Sequence, residues 1–308
     1  MKKIPILNIS PIICSIAVLL SAATTANAET TAKPANEKKI VFIAGSPSHA
    51  PGQHEHRAGC MLFADQLKKS GLPVNAVVTT NGWPTDESIF EGASAVVIYA
   101  DGGANHPGIQ HLDTLKKMAK DGVGIGCIHY ACEITKGKPG DTLLDLIGGY
   151  FETDWSVNPH WNASFKLPKH PVTQGVSDFS TLDEWYYHMR FKEKMEGVTP
   201  ILTDLPPPES LKRRDGPHEG NPDVRAAVLE RKEPQHVMWV YERPESIGKG
   251  RSFGFTGGHF HKNWQIDSQR VLMLNAIVWI AGLDVPASGV PSKTLTDEEI
   301  KANLDPKP

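Results

Sequence analysis

The sequence predicts a three-layer α/β fold built on a mostly parallel sheet, with helices on both faces and long loop insertions. Short, wholly apolar runs such as KIVFIA at Lys39–Ala44 and ASAVVIYA at Ala93–Ala100 read as strands buried on both faces, as a parallel sheet requires. Segments with helical spacing separate them, as crossover connections demand. After a predicted leader is removed, about 280 residues remain, enough for one large domain whose core needs no disulfides.

Taken in order, the chain opens with Lys2 and Lys3, an uncharged apolar run from Ile12 to Leu20, and Ala26-Asn27-Ala28 before Glu29. This pattern predicts a secretory signal peptide over residues 1–28, cleaved near Ala28, and hence a secreted or periplasmic protein. Cys14 follows Ile13, where a lipoprotein signal would place a small residue, so no lipid anchor is expected. Residues 29–37 read as a linker, 38–286 as the domain and 287–308 as a tail. No later apolar run approaches the roughly 20 residues that cross a bilayer, so stable membrane insertion is not expected. Loss of Lys2 and Lys3 takes the formal charge from −3 to −5, which argues against a nucleic-acid surface. Cys60, Cys127 and Cys132 then remain, an odd number that favours buried free thiols, although Cys127 and Cys132 could pair if the backbone folded back. A homo-oligomer stays open.

Strands are expected at Lys39–Ala44, Val74–Thr79, Ala93–Ala100 and Val123–His129. Cys60, Phe63, Ala64 and Leu67 form one face of a helix between the first two, and Leu112, Leu115 and Ala119 repeat the spacing before the fourth. Val271, Leu274 and Val278 do so again in a closing helix that Gly282 ends. Phe151–Thr181 and Asp204–Pro222, rich in Pro, Asn, Asp and Gly, read as long loops. Strands at Ala163–Leu167, Ala226–Glu230 and Val237–Tyr241 would extend the sheet or cover an edge. In the tail, Leu295–Glu299 reads as a short capped helix, peripheral to the domain.

Ligands of open α/β sheets bind beyond the carboxyl ends of the strands. Here those ends carry Gly45–Arg57 with His49, His54, Glu55 and His56, then Asp101–His106, then His129–Glu133, and finally His259 and His261 after Gly257 and Gly258. Four strand ends therefore bring histidines and carboxylates to one face. Such a set suits a divalent metal, zinc or similar, and equally suits acid–base work near neutral pH; the plain alternative is loop residues satisfied by backbone. His49, His54, His129 and His259 are the candidate ligands. His54 is paired with His49 rather than with His56, because alternate residues of a helix do not share a face, and His56 is left to cap or pack. His129 and His259 are also the candidate proton-transfer pair. Asp101, between an apolar strand and two glycines, is either a ligand-facing carboxylate or a turn former. His106 before Pro107 shapes its loop. In Gly126–Tyr130 the corner falls on His129 and Cys127 lies in the strand, which disfavours a covalent cysteine amidase. No G-x-G-x-x-G follows the first strand, so neither a nicotinamide nor a flavin is expected.

The closing segment Gly250–Pro286 has a Gly-Arg, strand, Gly-His, Trp and helix pattern that resembles the ThuA-like family, named for trehalose utilisation. Gly148-Gly149-Tyr150-Phe151, His170-Pro171-Val172-Thr173-Gln174-Gly175 and Asp183-Glu184-Trp185-Tyr186 are similar to further elements of that family, and the likeness covers roughly Lys39 to Leu283. The resemblance implies a flavodoxin-like, class I glutamine amidotransferase-like fold and a role in carbohydrate utilisation, on trehalose-type disaccharides or their 3-keto derivatives, by lyase, isomerase or hydrolase chemistry. A small carbohydrate is then the expected partner. Glu184 would bind hydroxyls or act as a second acid–base group, beside Trp185, Tyr186 and Tyr187, whose rings could pack on the C–H face of a sugar. Trp155, His160 and Trp161 would form a lid, and His261 would stand with His259 at the opening; ordinary packing is the alternative for the aromatics. A non-catalytic carbohydrate-binding module is the rival function.

Overall fold

The computed structural model describes residues 1–3 and 37–307, and the fold belongs to the unit Ala35–Pro308. The predicted signal peptide and linker lie outside the described residues, apart from residues 1–3 and 37. In chain order come β1 (Lys38–Ala44), α1 (His56–Lys69), β2 (Val74–Thr79), β3 (Ala93–Tyr99), α2 (Leu112–Lys120), β4 (Gly124–Ile128) and α3 (Lys138–Ile147). The middle of the chain adds β5 (Gly149–Tyr150), β6 (His160–Phe165), β7 (Phe179–Glu184), β8 (Arg190–Phe191), β9 (Val198–Asp204) and α4 (Pro222–Arg225). The chain then returns with β10 (Gln235–Arg243), β11 (Gly250–Phe255), α5 (Asp267–Ile280) and α6 (Asp297–Ile300).

Seven strands form one sheet in the order β2-β1-β3-β4-β11-β10-β9. The first five run parallel, and β10 and β9 add an antiparallel edge. Strand alternation divides the core in two: Ile40, Phe42, Val97 and Tyr99 face α1 and α5, whereas Val41, Ile43, Val96 and Ile98 face α2 and α3. That double burial is why these strands read as unbroken apolar runs. The strand order reverses between β1 and β3, so a crevice opens at the carboxyl ends of those two strands. No helix among the described residues is long and apolar enough to cross a membrane.

Two expectations are corrected. Ala226–Glu230 is a helical turn that continues α4, with Ala227 and Val228 buried. The signal lies just upstream: the Asn221 side chain accepts from the Val224 N–H and Pro222 occupies the first turn, a start that commits the segment to a helix. The tail is also not peripheral. Its helix is capped by Thr296 and Glu299 as expected, but beyond it Asp305 receives the Arg57 guanidinium at 2.7 Å and Lys307 pairs with Glu55 at 3.2 Å, with both side chains of the second pair buried.

β6 and β7 pair antiparallel apart from the main sheet, and their buried residues Trp161, Ala163 and Phe165 alternate with exposed ones. Trp185, just past β7, packs so closely on the loop after β11 that a Cβ at Gly257 would lie 2.3 Å from its ring. Replacing Gly257 with Val should therefore cost about 1–3 kcal/mol through overpacking. A urea denaturation midpoint equal to that of the parent would refute this account of the junction.

Candidate functional site

Three histidines reach the crevice on left-handed backbone. His49 (φ 60°), His54 (φ 46°) and His129 (φ 58°) adopt a region that side-chain-bearing residues visit rarely, at roughly 1–2 kcal/mol each. Such outliers concentrate where geometry serves function. At the end of β4 the turn swings His129 under the sheet edge, fully buried, and its Nδ1 lies 2.8 Å from the Thr256 carbonyl. His54 is equally buried, with Nδ1 2.9 Å from Asp101 Oδ1. His259 enters from the loop after β11, and Glu184 from the end of β7.

Ligand atoms of His54, His129, Glu184 and His259 all lie within 4.8 Å of one another. His54 Nε2 is 3.0 Å from His129 Nε2 and 3.0 Å from His259 Nδ1. Glu184 Oε2 is 3.2 Å from His259 Nδ1 and 3.5 Å from His129 Nε2, and accepts from the Tyr186 hydroxyl at 3.3 Å. The outer contacts fix the tautomers. A carbonyl and a carboxylate only accept, so the Nδ1 atoms of His129 and His54 carry hydrogen. In the neutral rings both Nε2 atoms are then bare, and two lone pairs meet at 3.0 Å. Burial, and after it the charges that His129, His49, His56 and His259 can carry, push the His54 pKa well down, which keeps the ring neutral. Burial alone would raise the Glu184 pKa, but positive charge at His129 and His259 outweighs it and holds the carboxyl below its usual range, and a cation seated between the rings would act in the same sense. Three imidazoles plus one carboxylate, with His54 and His129 oriented from behind by a carboxylate and a carbonyl, make a donor set that fits a divalent cation.

Asp101 serves this cluster from behind: besides His54 it takes the Ser48 hydroxyl at 3.0 Å, and His49 and His56 approach it at 3.9 and 3.7 Å. His49 stacks on His54 at 3.5 Å between ring centres and is itself partly exposed. With His54 and Asp101 it forms a second, more open group of possible ligands. His160 stands half-exposed at the rim, its Nε2 3.9 Å from Glu184. Tyr186 lies within, its hydroxyl 3.2 Å from His129 Nε2.

Three sugar-facing expectations are corrected. His261 is turned away and its Nε2 meets the Ile300 carbonyl at 2.9 Å, because residues two apart on a turning chain need not share a side and the intervening turn sends it toward α6. Trp155 is stacked on His188 at 4.2 Å beneath the Arg190 guanidinium, and among the described residues it makes no contact with the cluster. Trp161 is a core residue donating to the Trp185 carbonyl at 2.9 Å, and Trp185 and Tyr187 are fully buried. Cys127 lies within β4, and burial raises its thiol pKa well above the ordinary value, so it is no nucleophile; Cys60, Cys127 and Cys132 are all free.

Sequence reasoning missed a second buried carboxylate, Glu133, held by His218 Nε2 at 2.9 and 3.1 Å. Glu133 was visible at a strand end, but His218 sits in an aperiodic loop, where no spacing signals a partner. Asp183 was visible only as a family element. Buried, it accepts from the backbone N–H groups of Gly258, His259 and Phe260 at 2.8, 3.0 and 3.4 Å, and from Asn263 Nδ2 at 2.9 Å.

The sequence matches the ThuA family, described as trehalose utilisation, over residues 41–280. The chain belongs to that family. The family description supports a role in carbohydrate utilisation in general. No curated protein matches the chain at a significant level. Among solved structures, a ThuA-like protein from Bacteroides uniformis is similar at 17% identity and TM-score 0.52, covering 82% of this chain and 96% of that one. Another from Parabacteroides merdae gives 16% identity and TM-score 0.51, with 81% and 92% covered. A glutamine amidotransferase from Thermotoga maritima is similar at 9% identity and TM-score 0.39, with 86% and 99% covered. The ThuA-like structures share the mostly parallel α/β fold predicted from the sequence.

Three buried imidazoles outside the cluster give this ThuA-family chain a pH signature. Burial brings His56, His106 and His261 down to about 4. An unfolded chain takes up these protons near pH 6.5 while the folded one does not, so stability is lost as pH falls from about 6.5 toward 4. The urea midpoint should be lower at pH 5 than at pH 7.5. An unchanged or higher midpoint at pH 5 would contradict the assignment.

Proposed function

We propose that this protein is an exported enzyme of carbohydrate utilisation that acts on a disaccharide or keto-sugar by metal-assisted acid–base chemistry. One observation carries the reading: the bare Nε2 atoms of His54 and His129 face each other at 3.0 Å beside His259 Nδ1 and the Glu184 carboxylate. Without a cation between them, lone pairs and negative charge are gathered in a buried space, which is costly. Zinc or a similar divalent ion held by His54, His129, His259 and Glu184 would polarise a carbonyl or hydroxyl oxygen of the sugar as a Lewis acid.

The chain's own residues supply the rest. Asp101 and the Thr256 carbonyl hold the rings of His54 and His129 in the tautomer that offers Nε2. Tyr186 can donate from its hydroxyl toward the cluster, and burial, with the Glu184 charge next in effect, raises its pKa well above the ordinary value, so the proton stays on oxygen. His160 at the rim and the partly exposed Asp101 offer hydrogen bonds to sugar hydroxyls. His54, Asp101, His129 and His259 follow the carboxyl ends of the parallel strands β1, β3, β4 and β11, where this architecture binds its ligands.

Elemental mass spectrometry of the purified protein, after dialysis against metal-free buffer, tests the reading. A near-stoichiometric divalent metal is expected, lost in the His129→Ala and His259→Ala proteins together with turnover of trehalose or its 3-keto derivative. Metal-free protein that turns the sugar over would leave histidine acid–base chemistry alone, and normal turnover by both variants would sink the site.

A further inference from the structure

Beside the cluster lies a second set of chemical groups that the cation reading does not use. Glu133, four residues beyond His129, is almost wholly buried, and both its oxygens face His218 Nε2. A carboxylate only accepts, so Nε2 carries hydrogen, and the remaining nitrogen, Nδ1, has no partner among the described residues while the side chain is one-third exposed. This is the arrangement by which a buried carboxylate orients an imidazole and leaves its far nitrogen free for a substrate.

The pair belongs to the same cleft. The His218 ring stacks on Phe151 at 5.2 Å, Phe151 meets Tyr186 edge-on at 5.3 Å, and the Tyr186 hydroxyl reaches His129. Tyr130, on the turn between His129 and Glu133, lies edge-on to His54 at 6.0 Å, and its phenol feels the charges of Glu133, Asp101 and Glu184 together. Tyr130 thus meets the cluster at His54 and shares its turn with Glu133, the partner of His218.

We propose that His218, oriented by Glu133, presents an Nδ1–H to the sugar and protonates the oxygen that gains negative charge in the reaction, opposite the His54–His129–His259–Glu184 cluster. In that step the Nδ1–H bond breaks, nitrogen keeps the electron pair, and an O–H bond forms on the sugar oxygen as its C–O or C=O electron pair settles there. Neutral His218 then regains a proton from solvent. The groups around the ring favour its charged form: the hydrogen bond of Glu133, and next its charge, raise its pKa against the cost of burial, Glu184 and Asp154 add to the rise, and the cation facing it is the Arg213 guanidinium, bonded to the His218 carbonyl at 2.9 Å. The sugar would therefore meet a proton donor at His218 and, at the cluster, the divalent cation those residues would hold, and both assist elimination or hydrolysis at a sugar C–O bond.

This inference rests on the proposed sugar chemistry, and two measurements separate the failures. In side-chain nitrogen NMR spectra of the whole protein, assigned with His218→Asn, His218 should titrate above the ordinary imidazole value of about 6.5, and Glu133→Gln should move its midpoint to lower pH. A midpoint at or below the ordinary value, or one that Glu133→Gln leaves in place, overturns the proposal whatever the substrate. With trehalose or its 3-keto derivative as substrate, His218→Asn should lower kcat about 100-fold or more with KM and bound metal little changed, and Glu133→Gln should pull the alkaline limb of the kcat profile to lower pH. Full turnover by His218→Asn overturns the proposal. Wild-type protein that is inert on both sugars counts against the proposed function, and the titration still decides the state of His218.

Discussion

The geometry of the crevice depends on the Asp183 carboxylate. It is fully buried at the end of β7, yet it gathers the backbone N–H groups of Gly258, His259 and Phe260 and the amide of Asn263. A buried carboxylate is tolerable only when hydrogen bonds replace its water, and here the replacement comes from the loop that carries His259. Gly258 can follow this path because its φ of 102° suits glycine, and Gly257 lets the backbone lie against Trp185. One interaction therefore docks the β6–β7 hairpin on the main sheet, shapes the loop after β11, and sets His259 beside Glu184, the next residue along from Asp183.

The same logic recurs around the cluster: two of its three imidazoles are held from behind by a group remote in sequence. Asp101 at the end of β3 holds His54, and the Thr256 carbonyl after β11 holds His129. The loop bearing His54 is tied in turn by Glu55, which accepts from the Gly52 and Asp305 N–H groups and pairs with Lys307. Residues in left-handed backbone keep that conformation only when their surroundings over-determine it. The tail helps to do so here, which is why a segment that reads as an appendage is packed against the loop of the site.

The sheet was legible because β1, β3 and β4 are buried on both faces, and their apolar runs have no other stable setting. The convergence of His54, His129 and His259 was legible too, because strand ends of one parallel sheet share an edge. Side-chain direction was not. His261 is two residues from His259, and only the intervening turn decides that it faces Ile300. Trp155 read as part of a lid over the sugar, but its ring is taken by His188 and Arg190. Partnerships across an insertion, such as Glu133 with His218, leave no periodic trace, since the two residues are 85 positions apart and neither is on a regular element that patterns its neighbours.

What distinguishes the cluster from ordinary buried polar packing is its balance of donors and acceptors. Buried polar groups normally find complementary partners, as the Glu133 carboxylate does with His218. His54 and His129 do so only on their outer sides, where Asp101 and Thr256 take the hydrogens; on the inner side both rings turn bare nitrogen toward one point that Glu184 also faces. Protonating either ring would relieve the lone-pair contact, but burial and the neighbouring imidazoles oppose a proton on His54. A small cation removes the conflict without demanding that either outer hydrogen bond be broken. The orienting carboxylate and the lowered pKa of His54 favour the same chemical state, a neutral ring with its electron pair directed inward, and that is the state a bound cation requires.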